Sequence, residues 1–516
     1  MQNASSDTLI LLAVACMFSW GCKKDGEEIK PLPFLWATAT AGFQVDMGCP
    51  SSDCSDPSSD WWVWVHDRGN MDAGLTSGDV PENGPGHWEL YAQDFDRAVE
   101  ELGTNGYRFS IEWGRLFPQS TEDASTPEEV AALADEGAVR HYHDMLDALH
   151  DRGMHPLVTL HHYTIPLWAH DPFQAGEDLS GDPYEPDPAY ERSRRKGWLD
   201  QDFMVREFSK YARFAASEFG GEVDLWITQN EPVTVVTSAF LLFGADEFGG
   251  RTNPPGVFDF ASAVRAYYSM TLAHAAAYDA IKEADTEDAD HDGDPCMVGV
   301  TLHFIPFDPV DPESEQDRNG VGHADYFYNR IYLNAVVGGD YDWDLDAVAE
   351  EHRDDSTSKV DFVGMNYYFR TTILGLEAPF IEDYPIFDFR PAEVGGYSPE
   401  GFTEMIDLVV DNYGLPIIVT ENGAGLLPSG VTEEEFIVRH LKYLLEARDA
   451  GKPVLGYCYW SLLDNLEWNV GFEVQMGLFS WDADTKARSS KDFLSVYRRI
   501  IGENDVPDDL WEEYGP

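Results

Sequence analysis

Two glutamates follow predicted strands in this sequence, and together they suit one kind of bond cleavage. Glu231 lies in the segment Thr228–Pro232 and Glu421 in Thr420–Gly423, each after a run of apolar and β-branched residues. A glutamate in such a position is most often a solvated loop residue or a helix cap, so neither segment alone specifies a site. Two carboxylates in one site, however, are what glycosidic bond cleavage needs. One gives a proton while the other holds negative charge against an oxocarbenium-like centre.

Eight candidate strands alternate with helical segments along the chain. They are rich in apolar residues without strict alternation, which is typical of a parallel sheet covered on both faces. The pattern predicts an α/β fold, a (β/α)8 TIM barrel in a single domain with loop insertions. An open doubly wound sheet is the competing fold, but it needs a Gly-rich phosphate loop after an early strand, and the sequence has none. The predicted strands are Phe34–Gln44, Gly106–Trp113, His155–His162, Leu225–Pro232, Met297–Phe307, Asp361–Phe369, Leu415–Gly423 and Pro453–Leu462.

Cap residues mark the starts of several predicted helices. Thr126 precedes a proline and two acidic residues, and Ser398 precedes Pro-Glu in the same way. Thr432 begins a capping-box pattern. Three further segments have helical periodicity, namely Glu89–Glu101, Phe203–Phe219 and Phe260–Ala284.

Polar side chains cluster at the carboxyl ends of the predicted strands rather than at their starts. Barrel enzymes place their chemistry at that edge, so the clustering predicts a single site there. The residues are Gln44, Glu112, His161, His162, Asn230, Glu231, Asn366, Glu421, Asn422, Trp460 and Glu467.

The composition is that of an acidic, globular chain. Its 516 residues have 43% hydrophobic and 13% aromatic content, which predicts a folded chain with a large core. The net charge is −60, from 94 acidic and 34 basic residues. Such a field repels nucleic acid phosphates and anionic lipid surfaces and so disfavours polyanionic partners. The charge fits either a strongly solvated surface or adaptation to high salt, which screens the self-repulsion.

The first residues have the pattern of an export signal. An apolar run at Thr8–Phe18, too short to span a bilayer, precedes Cys22 and two lysines. It resembles the signal of a bacterial lipoprotein with Cys22 acylated, although no Lys or Arg precedes the run and Trp20 is bulky. We expect a signal at residues 1–22, a tether at 23–32, the main domain at 33–505 and a tail at 506–516. The predicted location is the cell envelope or periplasm, and the alternative is a cytoplasmic chain with an apolar start.

Cysteines and acidic residues give two weaker signals. Cys49 and Cys54 flank Pro-Ser-Ser-Asp and suit either a small loop disulfide or two free thiols. The segment Asp288–Asp294 resembles the first half of a calcium loop. Its twelfth position is Gly299 rather than glutamate, and a strand follows instead of a second helix, so it predicts an acidic solvated loop.

Three further motifs accompany the two glutamate segments. They are Thr40–Met47 (TAGFQVDM), Asp60–Asp67 (DWWVWVHD) and Asp79–Gly86 (DVPENGPG). With the glutamate segments, they resemble glycoside hydrolase family 1, the β-glucosidases and β-galactosidases, and most closely its longer branch best known from archaea. The resemblance covers residues 33–502, with the motifs in the family's order.

The resemblance implies catalytic roles for four residues. Glu231 matches the family's general acid/base, and Glu421 matches its nucleophile. The family retains anomeric configuration, which implies a separation of about 5–5.5 Å between the two carboxyl groups. Arg108 matches the arginine that contacts the nucleophile. Tyr368 matches the tyrosine that donates to it, with Tyr367 as the alternative.

The resemblance also implies a sugar subsite with hydrogen-bonding side chains and an aromatic platform. Tyr163 stands where the family commonly has tryptophan, which narrows the apolar wall. Glu467 and Glu473 would repel a phosphate, so an unphosphorylated sugar is expected. The residues that match the subsite are Gln44, His162, Asn230, Glu467 and Trp468, with Trp460 as the stacking platform.

These features predict a retaining, exo-acting β-glycosidase that releases terminal β-D-glucosyl or β-D-galactosyl residues from small β-glycosides. No cofactor or metal is implied, because the chemistry needs two carboxylates and water. A catalytically silent envelope sugar-binding protein and a transglycosylase on the same scaffold are the alternatives. The sequence leaves open a preference among glucose, galactose and fucose, and it is compatible with a homo-oligomer and with membrane contact through a lipid on Cys22. The loops Ala169–Gly197, Phe243–Val257 and Leu374–Gly396 are expected to shape the aglycone side.

Overall fold

The computed structural model shows a closed barrel. It describes residues 33–516 apart from 182, 185, 188–189, 242–251, 294 and 426, and the backbone of two short antiparallel strands, Lys23–Lys24 and Glu27–Glu28. The predicted signal at 1–22 with Cys22, and most of the predicted loop Phe243–Val257, lie outside the described residues. No helix in the described part of the chain combines the length and the apolar composition that a membrane span requires.

Eight parallel strands form the barrel wall. Each strand pairs with the next one along the chain, and the last strand closes the barrel against the first. The predicted fold class is therefore confirmed. The strands are β1 (Leu35–Ala39), β2 (Gly106–Ser110), β3 (His155–His161), β4 (Leu225–Asn230), β5 (Met297–His303), β6 (Phe362–Asn366), β7 (Ile417–Asn422) and β8 (Val454–Trp460).

All eight predicted strands are present, and all end earlier than predicted on the carboxyl side. β1 ends before Gln44 because the chain turns into a short helix at Gly42–Val45. β4 ends at Asn230 because Glu231 has a left-handed backbone conformation, with φ of 49°. Several of the polar residues predicted to end strands therefore lie just beyond them, at the mouth of the barrel.

Apolar side chains fill the barrel and the layer around it. Leu35, Leu157, Ile227 and Phe362 belong to the cluster inside the barrel. A larger cluster lies between the strands and the surrounding helices. Because the strands are covered on both faces, their sequences read as nearly continuous apolar runs. The long helices of the outer layer are His87–Arg97, Glu136–His150, Gln201–Phe219, Phe260–Ala284, Glu315–Asp325, Gly401–Tyr413, Glu433–Asp449 and Leu494–Glu503.

Two of the three predicted helix caps are confirmed. The hydroxyls of Thr126 and Thr432 each accept a hydrogen bond from the backbone three residues on, and the glutamate there reaches back, so both form capping boxes. The prediction for Ser398 is wrong, since Glu400 occupies the cap position. Ser398 Oγ instead donates to Glu400 Oε1 at 2.9 Å and accepts from Arg370 Nε at 3.1 Å, which keeps it away from the helix end.

Shorter elements decorate the loops. The predicted aglycone loop Leu374–Gly396 contains the strand Phe389–Gly396 and the last residues of the strand Arg370–Gly375. These two strands form a small three-stranded sheet with Phe307–Pro309. Cys49 and Cys54 are joined by a disulfide bond. Other short helices are Asp60–His66, Arg68–Asp72, Trp113–Leu116, Pro127–Ala131, Pro172–Ser180, Pro232–Phe240 and Asp508–Tyr514, and two-stranded pairs lie at Asp340–Tyr341 with Glu351–His352 and at Phe479–Trp481 with Arg488–Ser490.

A buried ion pair joins the helix His87–Arg97 to the C-terminal hairpin, which is formed by the strands Phe479–Trp481 and Arg488–Ser490. Arg488 Nε and Nη2 each donate to one oxygen of Asp94 at 2.8 Å, and neither side chain is exposed. His87 Nδ1 lies 2.9 Å from the same carboxylate. Burial would raise the pKa of Asp94, but hydrogen bonds from Arg488 and His87 outweigh burial and lower it. The C-terminal hairpin is thereby held against the first long helix.

Removing Arg488 should destabilise the fold strongly. Arg488→Met leaves the Asp94 carboxylate buried without its cation, a change that typically costs about 3–5 kcal/mol. The matched control is Arg499→Met, which breaks a pair with Asp509 at 2.9 Å between two exposed side chains and should change stability little. Thermal unfolding of both variants measures the difference. Equal unfolding midpoints would contradict a structural role for the buried pair.

Candidate active site

Four side chains that the sequence singles out converge at the carboxyl edge of the barrel. Arg108 lies in β2, Glu421 lies in β7 and Glu231 directly follows β4. Tyr368 lies just beyond β6. Glu231 and Glu421 are 6% and 4% exposed, and Arg108 is completely buried. The strands thus bring together residues that are far apart in the sequence.

Glu421 is held by one cation and one hydroxyl group. Arg108 Nη1 donates to Glu421 Oε1 at 2.6 Å, and the Tyr368 hydroxyl donates to Oε2 at 2.8 Å. Other guanidinium nitrogens of Arg108 donate to Thr159 Oγ1 at 3.1 Å and to Asn230 Oδ1 at 2.8 Å. Because these bonds spread over three strands, the cation is fixed in position against the carboxylate.

The two neighbouring tyrosines after β6 have different partners. Tyr368 reaches Glu421, as described above. The Tyr367 hydroxyl donates to the Ser398 carbonyl, and its ring packs edge-on against Phe402 with centroids 4.7 Å apart. Of the two alternatives, the structure therefore brings only Tyr368 to the carboxylate.

Burial has the largest effect on the Glu421 carboxyl group, and it raises the pKa of that group. The guanidinium of Arg108 lowers this pKa, while the charge of nearby Glu231 raises it, and the net shift is upward. The two carboxyl groups therefore interact electrostatically. Arg108 is the group that most strongly favours the ionised form of Glu421.

Neutral donors surround Glu231. The Tyr163 hydroxyl donates to its Oε2 at 2.6 Å, and Asn366 Nδ2 donates to its Oε1 at 2.7 Å. No ion pair to Glu231 is formed by any Lys, Arg or His in the described part of the chain. Its left-handed backbone is the cap position of the helix Pro232–Phe240, and this conformation turns the chain out of β4. Strained backbone of this kind is common in functional sites.

Two asparagines connect the carboxylates. Asn230 Oδ1 accepts from Arg108 Nη2 at 2.8 Å and from Asn366 Nδ2 at 3.2 Å. Asn230 Nδ2 lies 3.3 Å from His162 Nε2. Since Asn366 also bonds Glu231, a continuous hydrogen-bonded path runs from one carboxylate to the other.

Two predicted sugar-binding residues have buried polar atoms without a partner. Gln44 Nε2 donates to Asn465 Oδ1 at 3.0 Å, to the Leu466 carbonyl at 2.9 Å and to Glu467 Oε2 at 3.3 Å. Gln44 Oε1 and His162 Nδ1 are buried and have no hydrogen-bond partner among the described residues. Buried polar atoms are seldom left without a partner, so these two atoms are suited to binding hydroxyl groups of a ligand.

Aromatic rings form one wall of the site. The His162 ring stacks with the rings of Trp460 and Trp468, whose centroids are 5.7 Å and 5.9 Å away. Trp468 also stacks on Phe43 at 5.9 Å and contacts Tyr163 at 4.5 Å. The structure thus brings the predicted subsite residues together in one group of contacting side chains.

Sequence reasoning missed the two hydrogen-bond donors to Glu231 and the pairing of a histidine with a tyrosine near the site. Tyr163 was expected only to narrow the apolar wall, but its hydroxyl bonds Glu231. Asn366 was noted at a strand end without a role. His303, at the end of β5, lies 3.1 Å through Nδ1 from the Tyr328 hydroxyl, and burial lowers the pKa of His303 to about 4 although the charge of Glu421 raises it. The polar side chain of Tyr163 within the LHHY segment was the one available sequence signal.

Other polar residues near the strand ends have partners elsewhere. Glu112 accepts from Ser110 Oγ at 2.7 Å and from Thr164 Oγ1 at 2.6 Å. Asn422 Nδ2 donates to the Tyr367 carbonyl at 2.6 Å. These two residues support the strand ends and do not bond either catalytic carboxylate candidate.

Known proteins are similar to this chain in sequence over most of its length. A family model described as glycosyl hydrolase family 1 matches residues 27–176 and 190–506. A β-galactosidase from Pyrococcus woesei is 33% identical, over 94% of this chain and 99% of that protein. A β-galactosidase from Sulfolobus acidocaldarius is 30% identical, over 93% of this chain and 96% of that protein.

Solved structures show the same likeness. The β-glycosidase from Thermosphaera aggregans has a TM-score of 0.76 and 30% identity, covering 94% of this chain and 99% of that one. A β-glucosidase from Thermotoga maritima in complex with deoxynojirimycin has a TM-score of 0.72 and 26% identity, covering 93% of this chain and 100% of that one. The family model spans most of the chain. This chain therefore belongs to glycosyl hydrolase family 1 and is a retaining β-glycosidase.

Proposed function

We propose that the protein releases terminal β-D-glucosyl and β-D-galactosyl residues from small, unphosphorylated glycosides, with Glu421 as nucleophile and Glu231 as general acid/base. The observation that carries the assignment is the unequal environment of the two carboxyl groups. Glu421 bonds a guanidinium cation, whereas Glu231 bonds a hydroxyl and an amide. The cation favours negative charge on Glu421, whereas no Lys, Arg or His in the described part of the chain forms an ion pair with Glu231.

In the first step, Glu421 attacks the anomeric carbon while Glu231 gives its proton to the glycosidic oxygen. The bond from the anomeric carbon to that oxygen breaks, an ester to Glu421 forms and the aglycone leaves as an alcohol. Arg108 and Tyr368 orient the attacking carboxylate through their bonds to its two oxygens.

In the second step, Glu231 takes a proton from water, which attacks the anomeric carbon and breaks the ester to Glu421. Glu231 must therefore be protonated in one step and ionised in the other. A tyrosine hydroxyl can donate or accept, so Tyr163 can bond both forms of Glu231. An arginine in that position could only donate and would oppose the protonated form.

The glycone would be bound by the unpartnered atoms of Gln44 and His162, over the ring of Trp460. Glu467 accepts from Gln44 and is positioned to accept from sugar hydroxyls as well. A carboxyl group at this point offers a phosphate group no positive charge, and it repels phosphate when it is ionised. This supports an unphosphorylated glycone. Two relatives are described as a β-galactosidase and a β-glucosidase, and these descriptions are the basis for proposing small β-galactosides and β-glucosides as substrates.

Neither alternative function is favoured by an observation. A silent sugar-binding protein would be expected to lose a carboxylate, and both are present with their partners. Transglycosylation differs only in an acceptor that competes with water in the second step. Export to the cell envelope with acylation of Cys22 is part of the proposal and rests on the pattern of residues 1–22.

Substitution of each glutamate separates the two roles. Glu421→Gln should abolish turnover of an aryl β-glucoside, because no ester can form. Glu231→Gln should lower turnover by about 10²–10⁴-fold, as expected for loss of a general acid/base. Azide, which needs no base, should restore turnover of a substrate with a good leaving group in Glu231→Gln only, with a β-glycosyl azide as product. Rescue of Glu421→Gln to the same β-product would reverse the assignment.

Tyr163→Phe tests the bond to the acid/base. The variant loses a 2.6 Å hydrogen bond to Glu231. Turnover should fall by about 10- to 100-fold for a poor leaving group, corresponding to about 1.5–3 kcal/mol for a bond to a charged group. A dinitrophenyl glycoside, whose leaving group needs no proton, should be affected less in its first step. Tyr367→Phe, which removes a buried hydroxyl bonded to a backbone carbonyl, is the matched control. A loss independent of the leaving group would contradict this role.

Glu467 should make the fold less stable as the pH rises. Burial, followed by the charges of Glu421 and Glu231, raises the pKa of Glu467 from 4.5 to about 8. Between these values the unfolded chain ionises this group while the folded protein keeps it protonated, so its contribution to stability falls with increasing pH. Glu467→Gln should therefore raise the unfolding midpoint at pH 8 more than at pH 5, while weakening glycone binding.

The exposed Glu473 provides the control for this measurement. Glu473→Gln makes the same substitution at an exposed position and should shift the midpoint by a similarly small amount at both pH values. If the unfolding midpoints of the two variants depend on pH in the same way, the raised pKa of Glu467 is contradicted.

A further inference from the structure

Three aspartates meet at the amino-terminal end of the barrel, opposite the carboxyl edge that holds Glu231. Asp224 directly precedes β4, and Asp288 and Asp290 lie in the loop between the helix Phe260–Ala284 and β5. One carboxylate oxygen from each lies within 4.8 Å of the others. None of these residues has a role in the proposed reaction.

Two oxygens of this cluster are buried and unpartnered. Asp224 is only 8% exposed, and its Oδ1 has no hydrogen-bond donor among the described residues. The same holds for Asp288 Oδ1. The other oxygens accept from backbone groups: Asp224 Oδ2 from the N–H of Asp290, and Asp288 Oδ2 from that of Gly293 at 3.2 Å.

No cation of the protein balances these charges. In residues 33–516, outside the undescribed gaps, no Lys, Arg or His forms an ion pair with any of the three aspartates. Carboxylates accept hydrogen bonds and cannot donate them when ionised, so they cannot satisfy one another. Buried charged oxygens without a partner are costly, and either protonation or a bound cation removes that cost.

The ligand set suits a calcium ion. Ca²⁺ takes about six to eight oxygen ligands at about 2.3–2.6 Å, so three oxygens within 4.8 Å of one another can share one ion. Mg²⁺ keeps several waters and is usually bound by only one or two carboxylates, so a group of three carboxylates favours Ca²⁺. A cavity of about 220 Å³, lined by Asp224 and Asp290 and by His150, His155 and Glu222, opens beside the cluster. It has room for the waters that would complete the coordination.

We propose that Asp224, Asp288 and Asp290 bind a calcium ion that ties the loop before β5 to the start of β4. The acidic segment that begins at Asp288 has Gly299 rather than glutamate at its twelfth position, so its sequence lacks one ligand of a calcium loop. Its missing ligand comes instead from Asp224, which is distant in sequence. Because the Asp224 carbonyl also accepts from the Met297 N–H at 2.7 Å, the ion would fasten two neighbouring strands at their amino ends.

The second acidic group of the protein differs in this respect. Asp342, Asp344, Asp346 and Glu350 also lie close together. Both carboxylate oxygens of Asp342 already have donors, the N–H groups of Asp346 and Ala347 and the Tyr326 hydroxyl. That group therefore carries no proposal.

The test compares chelator-treated wild type with Asp288→Asn/Asp290→Asn. Both changes lie in a half-buried loop, so the variant keeps the buried Asp224 and should fold. Calorimetric titration with calcium chloride should show one more bound ion in the wild type than in the variant. Millimolar calcium should raise the unfolding midpoint of the wild type by about 2–5 °C and that of the variant much less. Activity on an aryl glucoside should be equal in both, which separates this test from the proposed function.

Controls exclude a general effect of charge. Glu512→Gln/Glu513→Gln removes two exposed charges and should respond to calcium like the wild type. Sodium chloride at the same ionic strength, and magnesium chloride at the same concentration, should give smaller shifts in wild type. The proposal is overturned if Asp288→Asn/Asp290→Asn binds calcium and gains stability as the wild type does, or if sodium or magnesium reproduces the calcium shift.

Discussion

The bond between Arg108 and Glu421 is the interaction on which the rest of the site depends. A charge removed from water costs several kcal/mol unless its partners are well placed. Arg108 is fully buried, and it meets that condition only because residues from β3, β4 and β7 surround its guanidinium. The barrel is therefore more than a support, since only a closed parallel sheet brings these strand ends around one cation.

The position of Arg108 gives the two glutamates different electrostatic surroundings, because the cation bonds only Glu421. The carboxylate beside Arg108 is bonded to a cation, and the carboxyl group beyond Asn230 and Asn366 meets only neutral partners. Two chemically identical side chains thus have different electrostatic surroundings. The same low-dielectric environment raises the pKa of Glu467, so Glu467 and the two candidate catalytic glutamates share one electrostatic field.

Sequence reasoning predicted the barrel because its strands are continuous apolar runs, and it predicted Glu231 and Glu421 because their motifs are specific. It placed the strand ends too late because a backbone turn such as that of Glu231 leaves no mark on hydropathy. It underrated Tyr163, since residue type alone does not show where a hydroxyl points. It also missed the link between Asp224 and Asp288, because nothing in the chain between them indicates that the two approach each other. Pairing across elements is the part that only the folded geometry supplies.

The closure of β8 against β1 has a consequence for how the protein is made. The first strand leaves the ribosome early, and its final neighbour is among the last segments to be translated. Until then both rims of the nascent sheet expose unpaired backbone groups, which invite association with other chains. A polypeptide with a net charge of −60 repels its own copies, and this repulsion opposes such association before the barrel closes.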